Sequence, residues 1–152
     1  MTDVSIVIPF LNEEENVERL AEALGALLAS HPALAFEILL VNDGSTDGSV
    51  AKIRATSFPP DTRLVNLSQN YGSHAALRAG ISKARGRHVT FMYADLQDPP
   101  ELVGRMHALA EEGFGIVWAT REETQAGLVE GAVSRRYARL MQRFVTPRFP
   151  EQ

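Results

Sequence analysis

The run Val4-Ser5-Ile6-Val7-Ile8-Pro9-Phe10 constrains this chain more than any other segment. A strand with one wet face alternates apolar and polar residues. A short continuous apolar run instead suits a strand buried on both faces, as in parallel sheets covered by helices. The next stretch has helical spacing: Val17, Leu20, Ala21, Leu24 and Leu27-Leu28 recur near a 3.6 period. Asn12 is expected to cap that helix, with Glu13-Glu14-Glu15 favourably placed at its positive end. The pattern then repeats. Strands are expected over 36–41, 63–67, 88–93 and 114–119, the last with Trp118 in the core. Helices are expected after the turn at 42–48 (Thr46 or Asp47 as N-cap), over 72–84, from near Pro99, and over 132–144. Strand and helix alternate with short connections, which predicts an α/β domain with a mainly parallel sheet and helices on both faces. At 152 residues, 1–152 is one domain.

Sheets of this kind bind ligands at the carboxyl ends of their strands. The polar, irregular stretches fall there: 9–14, 42–47, 68–74 and 93–98. After the first strand there is no Gly-x-Gly-x-x-Gly, and no Gly-rich loop ends in Lys-Ser/Thr, which disfavours dinucleotide oxidoreductases and P-loop enzymes. A net charge of −4 gives no reason to expect nucleic acid. The absence of cysteine fits a reducing cytoplasm. The N-terminus does not read as a signal peptide, and no window approaches the ~20 apolar residues of a membrane span.

Taken singly, the loops have plain structural readings. Residues 9–14 read as a helix start. Residues 42–48 read equally as a tight turn or as a binding loop, in which Asp43 would accept hydrogen bonds from a nucleobase N–H or ribose hydroxyls. Residues 93–101 carry more chemistry, because Asp95, Gln97 and Asp98 are oxygen donors leaving a buried strand and Pro99-Pro100 stiffens the chain beyond them. Hard oxygen donors suit Mg2+ or Mn2+, which would neutralise a diphosphate leaving group. Capping of the next helix is the alternative for Asp98. His74 reads as a surface or capping residue. His31, His88 and His107 have no partners at metal-ligand spacing and read as structural.

Four segments in order carry a family resemblance: Val4 to Pro9 with Asn12-Glu13; Val41-Asn42-Asp43-Gly44-Ser45-Thr46-Asp47; Asn70-Tyr71-Gly72 with Ala75-Ala76-Leu77 and Ala79-Gly80; and Ala94-Asp95-Leu96-Gln97-Asp98-Pro99-Pro100-Glu101. Together they resemble family 2 glycosyltransferases, in the branch that loads glucose, mannose or related sugars onto polyprenyl phosphates. The likeness covers about residues 4–145. It implies a GT-A fold and transfer, with inversion, from a nucleotide-diphosphate sugar, UDP-linked in preference to GDP-mannose. It implies that Pro9, Leu11, Glu13, Asp43 and Asp95 hold the nucleotide. Asp95 and Gln97 would hold Mg2+ or Mn2+, Asp95 and Arg121 would act in catalysis, and Ser134 and Arg135 would meet the acceptor phosphate. A phosphate monoester, with its second pKa near ~6, is already an anionic nucleophile and needs no protein base. Transfer to a saccharide hydroxyl would need one, and Glu122, Glu123 and Glu130 are the candidates.

Departures from the family pattern are Tyr93 where many relatives carry an Asp, Leu11 for a tyrosine, Gln69 for an arginine, and Glu130 where an arginine is common. Relatives also continue further on the acceptor side, so that part is expected to be missing. A nucleotide-sugar-binding remnant without transfer is therefore the rival reading. Over 132–145, Val133, Tyr137, Leu140-Met141 and Phe144 form a helical stripe with Arg135, Arg136, Arg139 and Arg143 largely off it. This basic amphipathic pattern reads evenly as a helix packed on the sheet or as peripheral contact at the cytoplasmic face of a membrane. Homo-oligomer formation stays open.

Overall fold

In a computed structural model, which describes residues 2–120, the opening apolar run is strand β1 (Val4–Phe10) and all seven of its residues are buried. It pairs in parallel with β2 (Phe36–Asn42) on one side and β4 (His88–Phe91) on the other, and β2 pairs with β3 (Thr62–Asn66). The sheet order is β3-β2-β1-β4. The chain thus steps outward from β1 to β3, then returns to the opposite side of β1 for β4. That reversal opens a crevice beyond the carboxyl ends of β1 and β4.

Helices lie on both faces, as expected. Val4, Ile6, Ile8 and Phe10 of β1 and Ile38 and Leu40 of β2 pack against Val17, Leu20, Leu24 and Leu27 of α1 (Val17–Ser30). Ile53 of α2 (Ser49–Ala55) and Val103 of α4 (Leu102–Glu111) join the same cluster. The alternate residues Val7, Leu39 and Val41 face Ala76 of α3 (Ser73–Ile81). Each fully buried aliphatic side chain of this kind contributes roughly 1.5–3 kcal/mol. These elements belong to one compact unit, Met1–Trp118.

One charged residue interrupts the apolar centre. Glu37 of β2 is fully buried, directly beside Ser5 of β1. Its carboxylate accepts hydrogen bonds from Ser5 Oγ at 2.6 Å, the Arg85 N–H at 2.9 Å, Arg85 Nε at 2.7 Å and the Arg63 guanidinium. Burial alone would raise its pKa. The bonds from Ser5, Arg85 and Arg63 outweigh burial and hold it at about 2, against an ordinary 4.5. Arg63 also donates to the Lys83 carbonyl, and Gly86 N–H to Ser5 Oγ. Glu37 therefore ties β1, β2, β3 and the α3–β4 turn together at the end of the sheet opposite the crevice.

The structure corrects three expectations. Residues 114–119 do not form a strand, and Phe114, Ile116 and Trp118 are exposed, Trp118 by 76%. Apolar alternation marks a segment that gains from pairing, but a strand exists only with a neighbouring ladder, and none of the described strands pairs with this one. Asn12 does not cap a helix. With φ of 56°, it turns its side chain toward the second loop, and a one-turn 3-10 helix (Glu14–Asn16) leads into α1 without a side-chain cap. Finally, α4 begins at Leu102 rather than near Pro99, because Pro99 and Pro100 form a turn whose carbonyls accept the N–H groups of Leu102 and Val103. Among the described residues, no helix is long and apolar enough to cross a membrane. The expected last helix over 132–144, with Arg121, Glu122, Glu123, Glu130, Ser134 and Arg135, lies outside the described residues.

Candidate active site

Two loops interlock at the mouth of the crevice. The Asn12 carboxamide oxygen accepts the Thr46 N–H at 2.8 Å, and Ser45 Oγ accepts the Asn12 N–H at 3.0 Å. Ser49 Oγ accepts the Glu13 N–H at 2.8 Å, Asp47 accepts the Glu14 N–H at 3.2 Å, and Glu14 in return accepts the Gly48 N–H at 2.9 Å. Asp47 also accepts the Ser49 N–H and Oγ–H. Against the opposing effect of burial, these bonds and the one from Glu14 lower its pKa. The expected capping of α2 by Thr46 or Asp47 is not what forms: Gly48 stands at the N-cap position without a side-chain cap, and Asp47 ties the two loops together instead. The Glu14 side chain serves the second loop, while Glu13 accepts from Asn16. Such a clamp fixes the first two strand ends as one rigid rim.

Asp43 is the buried member of that rim, only 3% exposed. Its N–H donates to the Phe10 carbonyl, and its Oδ1 accepts the Tyr71 N–H at 2.8 Å, so it also secures the loop entering α3. Gly44 next to it has φ of +77°, and a Cβ there would stand 2.5 Å from Asn70 N. Both facts require glycine. Gly44→Ala is expected to cost about 2 kcal/mol or more, from αL strain plus displacement of the Gln69-Asn70 backbone. A urea midpoint equal to that of the parent chain would contradict this close contact.

The third wall lies beyond β4. Leu96 sits in the left-handed region with φ of 57°, a strain of roughly 1–2 kcal/mol. Its half-buried side chain packs on the core, which holds the turn in place. Asp95 Oδ1 accepts the Gln97 N–H at 3.1 Å, and the Asp95 carbonyl accepts Arg19 of α1 at 2.6 Å. Asp95 is thereby fixed from both sides of its own residue.

These walls enclose a cavity of about 300 Å³ lined in part by Pro9, Leu11, Glu13, Asp43, Tyr93 and Asp95. All five residues named from the sequence for the nucleotide thus border one space. Gln97 is exposed and does not line it. Asn70, Gly72 and Ser73 at the N-terminus of α3 also line it, and Arg19 supports it. Sequence reasoning assigns these no role: Asn70 and Gly72 enter only as part of the family pattern. Among the described residues, the lining holds three acids (Glu13, Asp43 and Asp95) and no basic side chain.

A cavity at the switch point of a parallel sheet is common to many α/β folds. The arrangement of strands and helices here is that of the GT-A fold of solved glycosyltransferases. S. aureus TarS in complex with UDP-GlcNAc superposes with a TM-score of 0.62 at 20% identity, over 81% of this chain and 39% of that one. Glucosyl-3-phosphoglycerate synthase from Mycobacterium tuberculosis, in complex with Mn2+, UDP and phosphoglyceric acid, gives 0.59 at 24% identity, over 76% of this chain and 41% of that one. The chain belongs to glycosyl transferase family 2, whose model matches residues 5–151. It is 38% identical over 144 residues to an undecaprenyl-phosphate 4-deoxy-4-formamido-L-arabinose transferase of Yersinia enterocolitica, and 39% identical over 142 residues to the Salmonella paratyphi A enzyme of that name. Each alignment covers 92% of this chain and 43% of the relative, so the chain spans less than half the length of these relatives.

Proposed function

We propose that this chain is the donor-binding part of an inverting glycosyltransferase that moves a sugar from a nucleotide-diphosphate sugar to polyprenyl phosphate at the cytoplasmic face of a membrane. The acceptor follows the undecaprenyl-phosphate relatives. A UDP-linked donor follows the folds solved with UDP-GlcNAc and with UDP. The observation that carries the reading is the convergence of Glu13, Asp43 and Asp95 on one cavity at the strand switch point.

Asp43 and Glu13, each with one carboxylate oxygen already engaged by Tyr71 and Asn16 respectively, would accept from base and ribose donors, with Pro9 and Leu11 as the apolar wall. A diphosphate next to Asp95 needs a counter-cation. The residues fit one, since Mg2+ is usually held by one or two carboxylates together with substrate phosphates. Asp95 would supply that carboxylate, with Gln97 beside it, and a bound Mg2+ or Mn2+ would neutralise charge developing on the departing nucleoside diphosphate. Arg121, Ser134 and Arg135 are assigned to the phosphates of donor and acceptor. The phosphate acceptor attacks as an anion and needs no protein base.

A second reading, donor binding without transfer, is favoured by Tyr93, which lines the cavity where many relatives place a metal-binding Asp. Calorimetric titration of UDP-glucose, UDP-GlcNAc and GDP-mannose, with and without Mn2+, tests the proposal. Mn2+-dependent binding of a UDP-sugar is the expected result. Failure of every donor to bind at millimolar concentration would sink it, and binding without turnover on polyprenyl phosphate would select the second reading.

A further inference from the structure

Away from the crevice, three side chains converge that have no part in donor binding. His88 opens β4, and His107 and Glu111 lie one turn apart on the same face of α4. One ligand atom from each lies within 4.8 Å of the others, and His88 Nδ1 is 3.5 Å from Glu111 Oε1. The two imidazoles stand with centroids 5.2 Å apart. His107 is 9% exposed, and the Nδ1 atoms of both His88 and His107 are buried without a hydrogen-bond partner. A buried polar atom left unsatisfied costs about 1–3 kcal/mol, so the unpartnered His107 nitrogen and the His88 nitrogen, which meets only the Glu111 carboxylate at 3.5 Å, need an explanation.

We infer that His88, His107 and Glu111 form a binding site for a divalent transition ion, Zn2+ in the first instance. Zn–N and Zn–O distances of about 2.0–2.2 Å put tetrahedral ligands roughly 3.3–3.5 Å apart, close to the 3.5 Å His88–Glu111 separation, and the three ligand atoms, now within 4.8 Å, would draw together on binding. Two imidazoles and a carboxylate select Zn2+ over Mg2+, in contrast to the all-oxygen chemistry of Asp95. Arg87 donates to Glu111 Oε1 and holds the carboxylate in place, while the second lone pair of that oxygen remains for the ion. The ion would clip the start of β4 to the end of α4, the two elements that bracket the loop carrying Asp95. Sequence spacing does not reveal the site, because His88 comes from a distant strand and His107 with Glu111 alone is too common a helical pair to mark one.

The test is titration of chelator-stripped full chain with Zn2+, followed by calorimetry and thermal unfolding. One equivalent is expected to bind at micromolar Zn2+ and raise Tm, with Mg2+ unable to substitute and Co2+ giving the visible absorption of a tetrahedral site. Glu111→Gln, at a half-exposed position that should fold normally, and His88→Asn are each expected to weaken binding at least about tenfold. His31→Asn/His74→Asn should leave it unchanged. Absence of binding at micromolar Zn2+, or affinity equal to the parent's in the Glu111→Gln and His88→Asn chains, would overturn the assignment.

Discussion

Asp95→Asn is expected to remove metal-dependent donor binding and to lower sugar transfer by roughly 10²–10³-fold, the equivalent of about 3–4 kcal/mol of lost charge stabilisation. The asparagine carboxamide oxygen can still accept the Gln97 N–H that Asp95 Oδ1 accepts now, and the backbone carbonyl still meets Arg19. The turn should therefore keep its shape, and the substitution isolates charge from geometry. The expected signature is donor affinity that no longer responds to Mn2+, with thermal stability close to the parent's. Undiminished Mn2+-dependent binding in this variant would remove Asp95 from the metal site.

Glu37→Ala is the substitution expected to damage folding most. It strips the acceptor from Ser5, Arg63 and Arg85 at once, in a position with no solvent access. Breaking a buried charge network from one side costs about 3–5 kcal/mol, a large share of the ~5–15 kcal/mol that holds a domain folded. The network also predicts acid sensitivity. The pKa of Glu37 is lowered from 4.5 to about 2 in the folded chain, so its contribution is present above pH ~4.5 and is lost as pH falls toward 2. About 3 kcal/mol is at stake over that interval. Urea unfolding of the parent and of Glu37→Gln should show a stability gap at pH 7 that narrows by pH 3. A gap independent of pH would mean that the charge of Glu37 is not what the network uses.

These two residues are unequally legible. Asp95 stands out because a carboxylate just past an apolar strand pattern, followed by Leu-Gln-Asp-Pro-Pro, has little else to do, although β4 itself is only half buried. Glu37 is hidden inside Phe-Glu-Ile-Leu-Leu-Val, where one acid does not disturb a strand reading. Its partners lie on other strands and a distant turn. Asn12 shows the opposite case, since its cap chemistry is a sound local preference that donors presented from the second loop override. Trp118 and its neighbours show the limit of apolar patterning, which registers a need for burial without supplying the neighbour that satisfies it.

Sequence alone determined the α/β alternation, the parallel sheet, the family, and the loops at which ligand chemistry gathers. Each of these follows from local periodicity or from short motifs in fixed order. Only the tertiary structure decided that Pro9, Leu11, Glu13, Asp43 and Asp95 line one cavity while Gln97 stays outside, and that Arg19 supports the Asp95 loop. It alone brought His88 to His107 and Glu111. The physical reason is the strand reversal about β1, which places residues far apart in the chain within hydrogen-bonding distance, a relation that periodicity does not encode.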